Sequence, residues 1–296
     1  MSLDIKSLDV NSRVIDRLYK TGSISTTEVG ELDEDSLFFI LTSEGKSALA
    51  WWRGQGATLE LVRGKDINYQ GIKPKDAEQT CMMATLQHTK LFVGLGSAGC
   101  GKTTLALSYA LQMLFRKEYN IVCCKPTVLI GGKSQAIAAI TGDIRDKMAP
   151  YVESFLVSLR RILGSEADNH IYQFEEEGRL TFMPLELARG MQFDRSIIII
   201  DEAQNTSSHS LLSMISRASD TCQLIVLGDH QQVDTGLRFE DTGLGQLIDT
   251  DAFYSANIAS GIKLKAQYRG ELAKFASAVI SEINEVSDEL ECSSDS

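Results

Sequence analysis

The sequence is short of proline, of histidine and of positive charge, and each shortage narrows what the chain can be. With 4 prolines and 43% hydrophobic residues among 296, it is no collagen-like repeat, mucin or low-complexity linker. Its 4 histidines have no partners at metal-site or dyad spacing, so neither a metal finger nor histidine chemistry is assigned. Six cysteines (Cys81, Cys100, Cys123, Cys124, Cys222 and Cys292) form no CxxC pair, which argues against a disulfide framework and fits a reduced cytoplasm. No apolar run approaches the roughly 18 residues that span a bilayer, and the charged opening stretch is unlike a signal peptide. The reading is a soluble, cytoplasmic protein with no membrane partner. The balance of 29 basic to 40 acidic residues gives a net charge of −11, without the broad positive field of a constitutive nucleic-acid binder. Any polyanion must meet a local patch.

What is present is patterned. Val14, Ile15, Leu18 and Tyr19 fall at helical spacing and predict a short helix over Asn11 to Tyr19. SLFFILT, SALAWW and TLELV, separated by SEGK and RGQG, predict a small antiparallel meander between Glu28 and Arg63, with Trp51 and Trp52 as core and rim packing. After Gly71 and Pro74 the texture changes to strand followed by helix. LFVGLG, YNIVCC, RLTFMP, SIIIID, QLIVLG and IKLKAQ are apolar or β-prone runs, several of them continuous, as in strands buried on both faces of a parallel sheet. Helices are expected at Pro150 to Leu163, Ser207 to Arg217 and Gly270 to Ile283. The resulting division is a helix plus β module over 1–76, an α/β domain over 77–288 and an acidic, disordered tail over 289–296.

Three motifs carry chemistry. Gly96, Ser97, Ala98, Gly99, Cys100, Gly101, Lys102 and Thr103 fit GxxxxGK[ST] between a predicted strand and a predicted helix, the setting of a phosphate-binding loop. Glycines let the backbone wrap with its N–H groups inward, the helix N-terminus favours anions, Lys102 reaches the β- and γ-phosphates and the Thr103 hydroxyl takes Mg²⁺. Thr104 completes the nucleotide-binding stretch. In SIIIIDEAQ a buried strand delivers Asp201, the expected Mg²⁺ partner, and Glu202, the expected orienter or base for an attacking water. QLIVLG ends in GDHQQVD, where Gln232 is placed to sense the γ-phosphate.

The order of GSAGCGKT, KP, TGDIRDKMAPY, LARG, SIIIIDEAQNT, GDHQQVD and AQYRG resembles the PhoH family of ATPases, whose core is similar to superfamily 1 helicases. The resemblance covers roughly Gly71 to Asn284. It implies a P-loop NTPase (RecA-like) α/β fold, a mostly parallel sheet flanked by helices beside the small N-terminal β-rich module. It also implies ATP and Mg²⁺ as cofactors, hydrolysis of ATP, and action on RNA or single-stranded nucleic acid as an open question. Carried over position by position, Gln79 is similar to the glutamine that reads adenine, Gln232 to the γ-phosphate sensor, and Arg269 to the arginine that stabilises transition-state charge. Arg269 acting on a neighbouring subunit would tie turnover to a homo-oligomer, a hexameric ring among the options. Lys125 and Arg189 match the pattern without a derivable role. Upstream, SLDVNSRVIDRLYKTGSI resembles the segment joining a PIN nuclease to the ATPase in two-domain relatives, and the expectation is that no such nuclease precedes it.

The departure is Cys100, where the family usually has threonine. That position contributes mainly its backbone N–H, so hydrolysis is expected to survive; the preferred reading is a small residue tolerated in the loop, the alternative a helix N-terminal thiol with a lowered pKa and easy oxidation. Cys123 and Cys124 are expected to fill the sheet core. Two other functions compete: a nucleotide-gated oligomeric assembly protein with slow turnover and no nucleic-acid substrate, and, ranked last, a small-molecule kinase.

Overall fold

The computed structural model describes residues 3–32, 36–53, 57–65, 67–127, 144–266, 268, 271, 275 and 279. Its first part is a five-stranded mixed sheet built from β1 (Ile5–Asp9), β2 (Ser23–Ser25), β3 (Phe38–Ser43), β4 (Lys46–Trp52) and β5 (Thr58–Leu61), in the order β1-β3-β4-β5-β2. The meander β3-β4-β5 is antiparallel as the turns SEGK and RGQG between its runs predict, whereas β1 joins its edge in parallel to β3. Helix α1 (Ser12–Thr21) starts at Asn11, whose side chain accepts from Arg13 N, and stops at left-handed Gly22.

Alternation gives this sheet two apolar faces. Phe39, Leu41, Ala48 and Ala50 meet Ile15 and Leu18 of α1 in a core of their own. Phe38 and Trp51, cross-strand partners with ring centroids 6.4 Å apart, turn the other way and join the main core. Trp51 is therefore a packing residue, 4% exposed.

The main part holds a six-stranded, all-parallel sheet in the order β11-β6-β10-β9-β7-β8. In chain order it runs α2 (Ala77–Thr85), β6 (Leu91–Gly96), α3 (Lys102–Phe115), β7 (Asn120–Lys125), α4 (Ile144–Leu163), α5 (Ala167–Glu176), β8 (Leu180–Pro184), α6 (Leu185–Ala188), β9 (Ser196–Ile200), α7 (Ser208–Arg217), β10 (Gln223–Gly228), α8 (Gly243–Ile248), α9 (Asp251–Ser255) and β11 (Ala259–Leu264). Ile197 to Ile200 and Ile225 to Leu227 are fully buried, as unbroken apolar blocks in a sheet covered on both faces must be. Cys123 and Cys124 lie in this core. Helix α4 begins at Ile144, ahead of the Pro150 start expected from the sequence.

The two sheets are tied together. Lys263 N donates to Leu3 O at 2.9 Å, and Lys265 Nζ lies 3.0 Å from an Asp4 carboxylate oxygen. Of the helix expected at Gly270 to Ile283 only Glu271, Phe275 and Val279 are described, all three helical, and the acidic tail and Arg269 lie outside the described residues.

Candidate functional site

Every strand of a parallel sheet ends at the same edge, so the turns after β6, β7, β9, β10 and β11 converge there. The loop after β6 depends on two glycines. Gly96 has φ +153°, and a Cβ there would stand 2.6 Å from Leu264 O and 2.8 Å from Cys100 Sγ. Gly101 has φ +97° and is the N-cap of α3, so no side chain caps that helix. Helices α1, α2 and α7 each satisfy a first-turn N–H with a side chain of Asn11, Asp76 or Ser207. The first turn of α3 has no side-chain cap, which leaves its positive dipole end suited to an anion.

Lys102 folds over this loop: its Nζ donates to the carbonyl oxygens of Gly96 and, at 3.2 Å, of Ser97, and lies 3.8 Å from Cys100 Sγ. Thr103 Oγ1 donates to Asp201 Oδ2 at 3.1 Å, a contact between residues 98 apart in the chain. Asp201 is 4% exposed. Burial pushes its carboxyl above the usual range and the neighbouring Glu202 charge adds to this, while Lys125, Lys102 and the Thr103 hydrogen bond pull it back. Glu202 adopts left-handed φ 57°, ψ 36°, a conformation rare outside glycine and asparagine, so its carboxylate turns back over the strand end.

Gln204 locks that turn. This fully buried amide donates to Glu202 Oε2 at 2.8 Å and to Gln232 O at 2.9 Å, and accepts from Asp229 N at 3.0 Å. Asn205 and Asp234 bond reciprocally one step further on, at 3.2 and 2.8 Å. The acidic pair and the GDHQQVD loop thus form one hydrogen-bonded unit. Asp229 Oδ2 is buried inside it without a protein partner.

Gln79, on α2, lies against the loop. Its Nε2 donates to Cys100 O at 3.0 Å and its Oε1 accepts from Lys75 N at 2.9 Å, so both amide atoms brace protein backbone. Tyr268 stands on the same flank: its N–H donates to Gly99 O at 3.1 Å, its hydroxyl to the Asp76 carboxylate, and Lys75 Nζ lies 4.6 Å from the ring centroid. The hydrogen bond to Asp76 pushes the Tyr268 phenol up to about 12. The AQYRG stretch could have flagged Tyr268, the neighbour of Arg269. Gln204 had no signal beyond its place in DEAQ, since its bonds are made to a loop 25 to 28 residues away.

One prospect raised by the sequence is revised, and two residues without a role gain a place. Cys100 is fully buried beneath the loop, and burial raises its thiol above the ordinary value despite the Lys102 ammonium, which fits a small residue tolerated in the loop and not the alternative of a thiol activated by the helix N-terminus. Arg189, on the turn after α6, donates to Ser210 Oγ at 3.1 Å and so joins the start of α7, while Lys125 stands beside Asp201.

Among the described residues no group of three or more His, Cys, Asp or Glu side chains is arranged to hold a metal. The oxygens of Thr103 and Asp201 suit Mg²⁺, which takes few protein ligands beside phosphate and water. Their 3.1 Å separation matches the ~3.0 Å expected between adjacent ligands of an octahedral ion with ~2.1 Å bonds. No helix among the described residues is long and apolar enough to cross a membrane.

A family model described as PhoH-like protein matches residues 71–278. A PhoH-like protein of Bacillus subtilis is 26% identical over 227 residues, covering 76% of this chain and 68% of that protein. Protein PhoH2 of the same organism is 24% identical over 288 residues, covering 93% and 63%, and protein PhoH of Escherichia coli K12 is 28% identical over 202, covering 68% and 53%. The chain thus spans from about half to about two thirds of the length of these relatives. Among solved structures, a DUF1998 helicase MrfA bound to DNA aligns over 69% of this chain and 30% of that one at 12% identity and a TM-score of 0.41.

Proposed function

Because the chain belongs to the PhoH-like protein family, we propose that it binds ATP at the loop 96–103 and hydrolyses the β–γ bond with Mg²⁺. The observation that carries this reading is the 3.1 Å contact between Thr103 and Asp201, which joins the phosphate loop to the acidic strand end. A Mg²⁺ ion held by these two residues would neutralise charge on the β- and γ-phosphate oxygens.

The chain's own groups do the rest. Backbone N–H groups of the loop and of the first turn of α3 bind the phosphates, with Thr104 in that turn. Lys102 exchanges the carbonyls of Gly96 and Ser97 for phosphate oxygens, a stronger, charge-assisted bond. Glu202 orients a water in line with the γ-phosphate and accepts its proton, while Gln204 holds that carboxylate at a fixed distance from the loop carrying Gln232. Loss of the γ-phosphate then moves Gln232 and the acidic pair together. Gln79 shapes the loop through Cys100 O, and the Tyr268 ring offers a wall for the base. Arg269, next in sequence, supplies charge to the transition state, in its own or a neighbouring subunit.

Phosphate release measured with and without Mg²⁺ tests this reading. Lys102→Ala is expected to lower turnover at least about a hundredfold, since a cation aimed at developing charge is worth several kcal/mol; a variant as fast as the parent would end the assignment. An RNA or single-stranded DNA partner and a homo-oligomer form the outer part of the proposal. Turnover stimulated by single-stranded RNA and fading with salt, read beside native mass, tests both.

A further inference from the structure

Lys125, the last residue of β7, has no task in hydrolysis as described above, yet its ammonium is held at the centre of the site. Its side chain is 14% exposed, its Nζ is 4.0 Å from Asp201 Oδ2, and it lies 5.7 Å from the Phe155 ring centroid. The strand ends are fixed to each other, Asp201 N donating to Cys124 O at 2.9 Å, so the pairing of the two side chains is built into the sheet.

An ammonium largely withdrawn from water needs counter-charge, and a buried carboxylate such as Asp201 needs a cation. Lys125 meets both needs. The carboxylate oxygen it faces is Oδ2, the same atom that accepts from Thr103 Oγ1. Thr103 and Asp201, if they held a divalent cation, would offer it an oxygen that already faces the Lys125 ammonium. Ammonium and metal therefore contend for one atom.

We propose that Lys125 is a positioning residue, the resident counter-charge of Asp201, and that it sets how much Mg²⁺ the site requires before nucleotide is held. This rests on the ATPase reading and adds a metal threshold to it. Below the threshold Lys125 keeps Asp201 neutralised and in place; above it, the ammonium gives way.

The test is a Mg²⁺ titration of the full chain at fixed pH, read as binding of a fluorescent ATP analogue to the parent, Lys125→Met and Lys125→Arg. Lys125→Met is expected to lower the half-saturating Mg²⁺ about tenfold, the lower end of what one charge at 4 to 6 Å does to the proton affinity of a carboxylate. Lys125→Arg keeps the charge and is expected to keep the parent value. In chelator without nucleotide, Lys125→Met should melt below the parent, with the gap closing when Mg²⁺ and nucleotide are added. Lys125→Gln replaces it if the methionine variant does not fold. An unchanged Mg²⁺ requirement overturns the proposal, as does loss of nucleotide binding at saturating Mg²⁺, which would make Lys125 a phosphate ligand. A parent that takes up no nucleotide at any Mg²⁺ concentration overturns the ATPase reading and this proposal together.

Discussion

The two sheets of this molecule bury apolar side chains equally well but handle polar ones differently. In the mixed sheet, β3, β4 and β5 run antiparallel, so their connecting turns fall alternately at opposite edges. In the six-stranded sheet all strands run the same way, so each delivers the residue after its last apolar position to one edge. Lys102, Lys125, Asp201 and Asp229 meet because of strand direction, although they come from four separate segments. Fold stability is spread over both sheets, whereas the candidate chemistry is confined to one rim of one of them.

The comparison breaks if a rim residue proves structural. Glu202→Gln preserves size and removes the charge that would accept a proton. Its expected effect is the largest: turnover down about 10²- to 10⁴-fold, the range of general-base catalysis, with nucleotide affinity and thermal midpoint near those of the parent. Steady-state phosphate release beside calorimetric titration separates the two, and a variant that loses binding and turnover in proportion would assign Glu202 to the ground state. The opposite arm is Phe39→Ala. Phe39 is fully buried on the α1 side of the mixed sheet, away from the shared core. Its truncation is expected to cost about 3–5 kcal/mol in denaturant unfolding while nucleotide affinity of the folded protein changes less than about twofold. A parallel fall in affinity would mean that the mixed sheet acts on the rim, through the Leu3 and Asp4 contacts to β11.

The same contrast explains what was legible in the residues. The strands β6, β9 and β10 announce themselves as unbroken apolar blocks, and the phosphate loop and acidic pair follow them at fixed offsets, because a strand end and the next turn are local facts. The meander is legible for a matching local reason, the turns SEGK and RGQG between its runs. The parallel pairing of β1 is not, since IKSLD has no apolar pattern and its place is set by the Ile5↔Phe38 register across the chain. Nor are the bonds of Gln204, the pairing of Lys125 with Asp201, or the bracing of Cys100 by Gln79, all made between strand ends or helices far apart in sequence. Motifs name the residues at the rim; only the packing says which of them hold one another.

Cys100 sharpens this distinction at the smallest scale. From sequence it is a thiol at a helix N-terminus, where positive potential lowers a pKa. In the fold its Sγ would lie 2.8 Å from a Cβ at Gly96, it is fully buried, and burial outweighs the Lys102 ammonium, so the thiol titrates above its ordinary value. Alkylation needs an exposed sulfur and a thiolate, and burial works against both in the native loop. Iodoacetamide followed by peptide mass spectrometry is therefore expected to label Cys100 at least about a hundredfold more slowly in native protein than in urea, since reaction waits on local opening. Cys100→Thr, which adds no charge and keeps the backbone N–H, should change turnover by less than about threefold. Labelling of the native loop at the rate of a free thiol would mean that the loop opens on its own, and the dipole rather than burial would then govern this position.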